Sequence, residues 1–352
     1  MEREAEYYKK LDGNAVCCLM CPHACRLADG ESGRCRSRIN RGGKLIAGAY
    51  GKVCAMQTDP VEKKPLLHFH PGSQCLSIAA AGCNLSCLNC QNWQISQAAP
   101  ADVPYRTLSA ADVAQLAADS GCGMVAYTYT EPLTWLEYTR DCAMACRERG
   151  IKNILVTAGY VSARPLADLL PYVDAANVDL KSFSDNIYRT VSGARLNPVL
   201  HTLESMLSSG VWVEITNLVI PGINDDMSMI ESMCRWLAAN GFADSPLHFS
   251  RFFPQYKMQG SMSATALAST LAGHAGARFA PPPVSTLVEA RHTALSCGIR
   301  HVYIGNVQLP GAEDTLCPNC GSLLIRRRGY SISAAGFNGI CPYCGCSVAG
   351  VW

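Results

Sequence analysis

Three cysteines within eight residues, Cys83, Cys87 and Cys90, carry the most reactive chemistry in the chain, in the run Gly82-Cys-Asn-Leu-Ser-Cys-Leu-Asn-Cys-Gln-Asn-Trp93. The spacing C-x3-C-x2-C offers one thiolate fewer than a closed tetrahedral site or a fully ligated iron–sulfur cluster needs. A 4Fe–4S cluster held at three corners keeps one iron open to bind and reduce another molecule. A structural zinc completed by a distant fourth ligand is the competing account.

Other groups could serve such a centre. In Asn177-Val178-Asp179-Leu180-Lys181, strand geometry puts Asp179 and Lys181 on one face and Val178 and Leu180 on the other. An inward acid and base are costly unless they satisfy each other or bind a zwitterion; a surface ion pair is the plainer account. Glu131 follows Tyr127 and Tyr129 and precedes Pro132, so it reads as a ligand or as the acid of a helix N-terminus. Glu214 and Asn217 have opposite parity and cannot both face inward without a bulge. Arg251 can meet a substrate carboxylate or act structurally.

The chain holds 20 cysteines in all. Where thiols stay reduced, clustered cysteines read as metal ligands. Cys317-x2-Cys320 and Cys341-x2-Cys344 form two paired knuckles, a tetrahedral signature that iron and zinc satisfy alike. Cys18, Cys21, Cys25 and Cys35 offer a second set, with Cys17 or His23 as substitutes and packed thiols as the plainer account. Cys346 is left over. Cys142, Cys146 and Cys297 fall on expected helices as small buried hydrophobes.

Elements must position these groups. Leu76–Ala81 reads as a buried strand ending at Gly82, which puts the three thiolates on a loop at its C-terminal edge. Further apolar runs at Met124–Tyr129, Asn153–Thr157, Ala175–Leu180, Val211–Ile220, Leu247–Phe252 and His301–Ile304 predict strands, with helical stretches between them. Val113, Leu116 and Ala117 make one helix face after the N-cap Ser109, and Val284, Leu287, Val288 and Leu295 make another before Gly298. Alternating strands and helices predict a parallel sheet with right-handed crossovers, either a barrel or a doubly wound sheet. Hydrophobic residues at 49% supply a sizeable core, and a net charge of +2 favours neither nucleic acid nor an anionic membrane as partner. No apolar run approaches the roughly 20 residues needed to span a bilayer, and the N-terminus lacks a signal peptide's apolar core, so a cytoplasmic location is expected.

The cysteine loop resembles the cluster motif of the radical S-adenosylmethionine (SAM) superfamily, in which the open iron chelates the amino and carboxylate groups of SAM. The resemblance implies an incomplete (β/α)6 barrel, with a 4Fe–4S cluster and SAM as cofactors. It makes Asp179 and Lys181 SAM contacts, being similar to the Asp-Leu-Lys segment of pyruvate formate-lyase activating enzyme. Glu131 corresponds to the acid of that family's Gly-Gly-Glu, which holds the methionine amino group, although the glycines are absent here. Asn217 lies on the strand corresponding to the ribose contact, and Asn92, with Gln91 and Trp93, sits beside SAM. Asn89 replaces the aromatic that usually precedes the third cysteine.

Cys18-x2-Cys21-x3-Cys25, Gly33 with Cys35, Lys64-Pro-Leu-Leu-His68-Phe-His70-Pro-Gly72, Cys90-Gln-Asn-Trp93 and the Cys341-Pro-Tyr-Cys344 ending together resemble the radical SAM enzyme of the AmmeMemoRadiSam system. That resemblance implies Memo-type and AMMECR-type partners and a one-electron donor such as flavodoxin or ferredoxin. The expected organisation is an N-terminal Cys-rich segment over 1–73 with a metal site, a barrel over 74–309, and a rubredoxin-like or zinc-ribbon module over 310–352 holding zinc or iron. The expected reaction is reductive cleavage of SAM to a 5′-deoxyadenosyl radical that takes hydrogen from a protein or small molecule, glycyl-radical activation included. The rival is a non-catalytic, multi-metal electron-transfer protein or scaffold.

Overall fold

In the computed structural model, which describes residues 2–259, 279–333 and 336–352, seven apolar runs become parallel strands laid side by side in chain order. They are β2 (Gln74–Ala79), β3 (Met124–Tyr127), β4 (Lys152–Thr157), β5 (Ala175–Asp179), β6 (Trp212–Val219), β7 (Leu247–Arg251) and β8 (Val302–Gly305). β1 (Ala55–Pro60) adds an antiparallel edge against β2. The strand order never reverses, as it would in a doubly wound sheet. Each crossover therefore turns the same way, and the sheet curls into an open barrel.

Among the described residues, six helices of seven residues or more lie in the crossovers: α1 (Ala110–Asp119), α2 (Leu136–Arg147), α3 (Ala163–Leu169), α4 (Leu196–Ser208), α5 (Met227–Ala239) and α6 (Val284–Ser296). This is the incomplete (β/α)6 barrel, closed on one side by β8. Outward strand residues such as Ile78, Val125, Leu155, Val178, Ile215 and Phe249 pack with helix residues such as Val113, Leu203 and Ile230 in one continuous core. α1 begins at Ser109 with a reciprocal capping box to Asp112, a device typically worth about 1 kcal/mol. On α6 the buried stripe is Leu287, Ala290 and Ala294, while Leu295 is exposed. At 100° per residue, Leu295 sits about 80° off the line of Leu287, on the side away from Ala290 and Ala294, so it falls outside the buried stripe although the sequence suggested it there.

The inner face is divided by height. At the N-terminal ends of the strands Val61, Leu66, Phe69, Cys75, Met124, Ala126, Ile154 and Ala175 form an apolar plug. The segment after β1 thus stoppers the barrel from below. Residues 2–54 fold into short antiparallel strands (Tyr8–Lys10, Val16–Cys18, Arg26–Leu27, and the hairpin Arg38–Arg41 with Lys44–Ala47). Strands of two to four residues are too short to show a period, which is why this stretch read as irregular. Arg38, fully buried, anchors it through an ion pair with Glu137 on α2. At the other end Val351 bridges Phe69, and its backbone N–H and C=O bond His68 O (2.7 Å) and His70 N–H (2.6 Å). Among the described residues no helix is long and apolar enough to cross a membrane.

Candidate active site and metal centres

β2 ends at Ala79, and the chain turns at Gly82 into the loop bearing Cys83, Cys87 and Cys90. Backbone bonds from Ser86 N–H to Ser192 O (2.9 Å) and from Leu88 N–H to Val191 O (3.0 Å) hold that loop against the segment after β5. Gly82 donates to Ile95 O at 2.9 Å. The sulfurs have few protein partners: Leu85 N–H reaches Cys83 Sγ at 3.4 Å, and Cys90 Sγ lies 3.2 Å from Ser96 Oγ. Burial pushes the Cys83 thiol well above its ordinary range and Cys87 up as well, with Lys181 opposing the shift at Cys87. Three half-buried thiols in one loop with few protein partners are the donor set that a three-cornered cluster calls for.

The C-terminal ends of β3 and β5 bring the expected acid and base to the same rim. Lys181 Nζ donates to Asp179 Oδ2 at 3.0 Å; both side chains are part-exposed, at 27% and 38%. Burial works against the Lys181 ammonium, but Asp179 and the Cys87 sulfur hold it protonated above the usual lysine range. Val178 and Leu180 are fully buried on the other face. Glu131 is 1% exposed. Its Oε1 accepts from Thr157 Oγ1 (2.6 Å) and Leu133 N–H (3.1 Å), and its Oε2 from Ala158 N–H (2.8 Å). Burial nevertheless pushes its carboxyl up to about 7. A carboxylate has about four acceptor positions, so one remains for a cation.

Tyr129 has the left-handed backbone, φ 65°, that a glycine would adopt freely. Of the two positions before Glu131 that lack glycine, Tyr129 alone takes this backbone. Asn92 Nδ2 donates to the Tyr129 carbonyl at 2.8 Å, which fixes this turn to the cysteine loop. Asn89 lines a recess with Lys181, Ile187, Tyr188, Leu218 and Ile220.

Asn217 is placed otherwise than expected. It shares the outward face of Val213, Ile215 and Val219, and its Nδ2 holds the Leu180 carbonyl at 2.7 Å, between Asp179 and Lys181. With no bulge in β6, period two sends Glu214 inward instead. Glu214 is fully buried and accepts from Leu67 N–H, His68 N–H, Trp212 Nε1 and His248 Nε2, at 2.7 to 3.1 Å. Arg251 spends Nε on Pro282 O (2.9 Å) and lines a cavity of about 520 Å³ with His248, Glu313 and Arg327, beside β7 and β8.

Sequence reasoning missed one inner cluster. Asp59 accepts from Lys63 and Lys64, each at 2.7 Å, and from the Tyr129 hydroxyl, while Lys64 stands 4.6 Å from the Tyr129 ring centre. Against burial, these donors hold the Asp59 carboxyl well below the usual carboxylate range. Lys64 heading the apolar Pro65-Leu66-Leu67 was the available signal.

The C-terminal knuckles converge. Cys317 Sγ to Cys344 Sγ and Cys320 Sγ to Cys341 Sγ are both 3.6 Å, and all four sulfurs lie within 4.8 Å of one another. Tetrahedral zinc–thiolate bonds of about 2.3 Å call for sulfurs about 3.8 Å apart. The knuckles match each other: Gly321 N–H bonds Cys317 O and Gly345 N–H bonds Cys341 O, both at 2.9 Å. Cys346 points instead to Ser347 O. Cys18, Cys21, Cys25 and Cys35 line one enclosed cavity against the barrel loop.

A (β/α)6 barrel with a three-thiolate loop after its first parallel strand defines a class, and residues 77–237 match the Radical SAM superfamily. That stretch of the chain, the barrel from its first parallel strand to α5, belongs to the superfamily. The chain is 42% identical over 325 residues to an uncharacterized protein of Methanocaldococcus jannaschii, across 92% of this chain and 91% of that one. It is 30% identical over 110 residues to the (2S)-3-sulfopropanediol dehydratase activating enzyme of Klebsiella oxytoca, covering 31% of this chain and 35% of that enzyme. Against the pyruvate formate-lyase 1-activating enzyme of Escherichia coli K12, identity is 29% over 150 residues, covering 41% of this chain and 61% of the relative. The likeness to both activating enzymes is thus partial in length.

Proposed function

We propose that this chain binds a 4Fe–4S cluster at Cys83, Cys87 and Cys90 and SAM on the same rim, and directs the resulting radical at a substrate held beside β7 and β8. The observation that carries this reading is the rim itself: three half-buried, nearly unpartnered thiols with the Asp179–Lys181 pair and the Glu131 carboxylate next to them. When bound, the cluster and SAM supply the one-electron chemistry that yields a 5′-deoxyadenosyl radical, with the electron coming from a donor of the flavodoxin or ferredoxin class.

The chain's own groups bind, orient and exclude water. Glu131 accepts the methionine ammonium with its remaining acceptor position. Lys181 and Asp179 present one charge of each sign to a zwitterion. The recess lined by Asn89, Ile187, Leu218 and Ile220 takes the adenine face. Asn217 acts through the Leu180 carbonyl as a positioning residue, and Asn92 acts likewise through Tyr129. Hydrogen abstraction from substrate needs no general base, and none is assigned.

The cavity beside β7 and β8 carries charges of both signs, Lys63, Arg251 and Arg327 with Glu62 and Glu313. A glycine backbone on a partner enzyme, another protein side chain and a small molecule remain the substrate classes, with Memo-type and AMMECR-type proteins as partners to test. The rival, a non-catalytic electron carrier, has no use for a zwitterion cradle beside its thiolates. Anaerobic reconstitution followed by assay for 5′-deoxyadenosine decides between them: cleavage of SAM supports the enzyme, and a reduced cluster whose EPR signal ignores SAM refutes it.

A further inference from the structure

The N-terminal cysteines form a site distinct from the radical centre. Cys18, Cys21, Cys25 and Cys35 come from separate turns of the N-terminal segment yet line a single enclosed cavity together with Arg38 and Asn84. The alternative ligands are otherwise engaged. Cys17 Sγ faces the Ala24 and Cys18 carbonyls at 3.6 and 3.9 Å. His23 uses Nε2 on Asn84 O at 2.8 Å, and its Nδ1 faces Arg34 Nη1 at 3.4 Å. That leaves four thiols.

Their spacing separates a cluster from a single ion. Among the described residues, only the C-terminal four bring three or more such ligand atoms within 4.8 Å of one another. The N-terminal sulfurs surround their cavity without converging on one point. In a cubane each thiolate meets a different iron, so its four sulfurs must stand further apart than the roughly 3.8 Å of a zinc tetrahedron. Gly33 borders this space: a Cβ there would lie 3.6 Å from Cys35 Sγ and 3.9 Å from Cys25 Sγ.

A second observation points the same way. Arg38 is 1% exposed, and its Nη1 has no hydrogen-bond partner, although Nε reaches Thr134 O and Nη2 reaches Glu137. A buried guanidinium N–H left unpaired is costly unless an acceptor occupies the cavity it borders. Cluster sulfides and thiolates are such acceptors, and their negative charge suits the guanidinium.

We propose that Cys18, Cys21, Cys25 and Cys35 hold a second 4Fe–4S cluster, ligated at all four corners, with Arg38 donating to it. The site abuts the radical loop on both sides of Cys83. Gly82, φ 103°, approaches the Cys35 carbonyl so closely that a Cβ would stand 2.4 Å from it, and Asn84 lines the cavity directly. Two clusters would then share one short stretch of backbone.

The full-length Cys83→Ala/Cys87→Ala/Cys90→Ala variant, reconstituted anaerobically with ferrous iron and sulfide, should retain about four labile sulfides per chain. Its reduced EPR signal should not respond to SAM. Labile sulfide counts this site alone, because an iron or zinc in the C-terminal knuckles brings none. No labile sulfide, or a mononuclear zinc at this site in its place, would overturn the proposal. Should that variant fail to fold, the unsubstituted protein gives the same answer. About eight sulfides and two cluster spectra, one of them moved by SAM, support the proposal, whereas about four sulfides refute it. Cys25→Ser/Cys35→Ser should remove about half the sulfide and leave the SAM-responsive signal, and retention of all of it refutes the assignment. A signal at Cys83, Cys87 and Cys90 that ignores SAM would damage the radical reading and leave the sulfide count here intact.

Discussion

Glu131 shows how one side chain can tie binding to pH. Burial raises its carboxyl from the ordinary 4.5 to about 7 despite the donors from Thr157, Ala158 and Leu133. The folded chain therefore keeps a proton that the unfolded chain loses between pH 4.5 and 7. The stabilisation this gives is full below 4.5 and gone once pH passes the folded value. An incoming ammonium selects the ionised form, so SAM binding should release a proton over that window. Affinity should rise by up to about tenfold per pH unit and level off above 7. Calorimetry in buffers of different ionisation enthalpy would detect the released proton, and Glu131→Gln should flatten the profile; a flat profile in the native chain removes Glu131 from the site. Lys181→Ala should weaken SAM binding by about 10- to 150-fold, the loss of a charge-assisted hydrogen bond, with cluster iron unchanged. An unaltered affinity would return Lys181 to the role of a surface ion pair. Residues that the sequence groups and the fold brings to one rim share a local signal: Cys83, Cys87 and Cys90 lie in one loop, and Asp179 and Lys181 lie two apart along one strand. Asp59 and Tyr129 meet over the intervening β2 from distant parts of the chain, and no local pattern announces that.

At the scale of elements, the strands were legible because seven buried parallel runs differ sharply from the polar turns between them. The assignment of Asn217 failed on parity alone, since a regular β6 turns Glu214 inward and Asn217 out. The antiparallel edge β1 also escaped notice, because Ala-Met-Gln-Thr-Asp-Pro alternates too weakly to mark a strand. The contact between Gly82 and Cys35 belongs to this scale, for it joins the N-terminal segment to the cysteine loop. Gly82→Ala would force a Cβ against the Cys35 carbonyl at a positive φ. Strain and overpacking together should cost about 2–5 kcal/mol, and cluster incorporation should fall with it. Thermal melting and iron content, measured side by side, test this; a variant with native stability and native iron would mean that the two segments are not tightly joined.

For the molecule as a whole, the C-terminal knuckles and the barrel base are mechanically continuous. Arg327 Nη2 donates to Leu67 O at 2.6 Å, Trp352 lies 4.9 Å from the His68 ring, and Val351 pairs with the same segment. The module's own core is small, built on Cys317, Leu324, Ile325, Cys341 and Val348, so a metal must supply much of its order. Cys341→Ser/Cys344→Ser in the full chain should lose one metal ion and lower the barrel's own melting temperature. An unchanged barrel transition would show that the knuckles merely hang from it. The paired knuckles were plain in the sequence; their anchorage on Leu67 and His68 was not, because it joins opposite ends of the chain.

The apolar stopper of Val61, Leu66, Phe69, Cys75, Met124 and Ile154 also imposes a traffic rule. Among the described residues, a barrel sealed below leaves its upper rim and its flank as approaches, and the cysteine loop lies at that rim. The SAM rim and the flank cavity beside β7 and β8 are then separate doorways, so neither reactant has to precede the other. Initial-rate kinetics should accordingly show a random order, and a compulsory order would mean that both reactants enter by the rim.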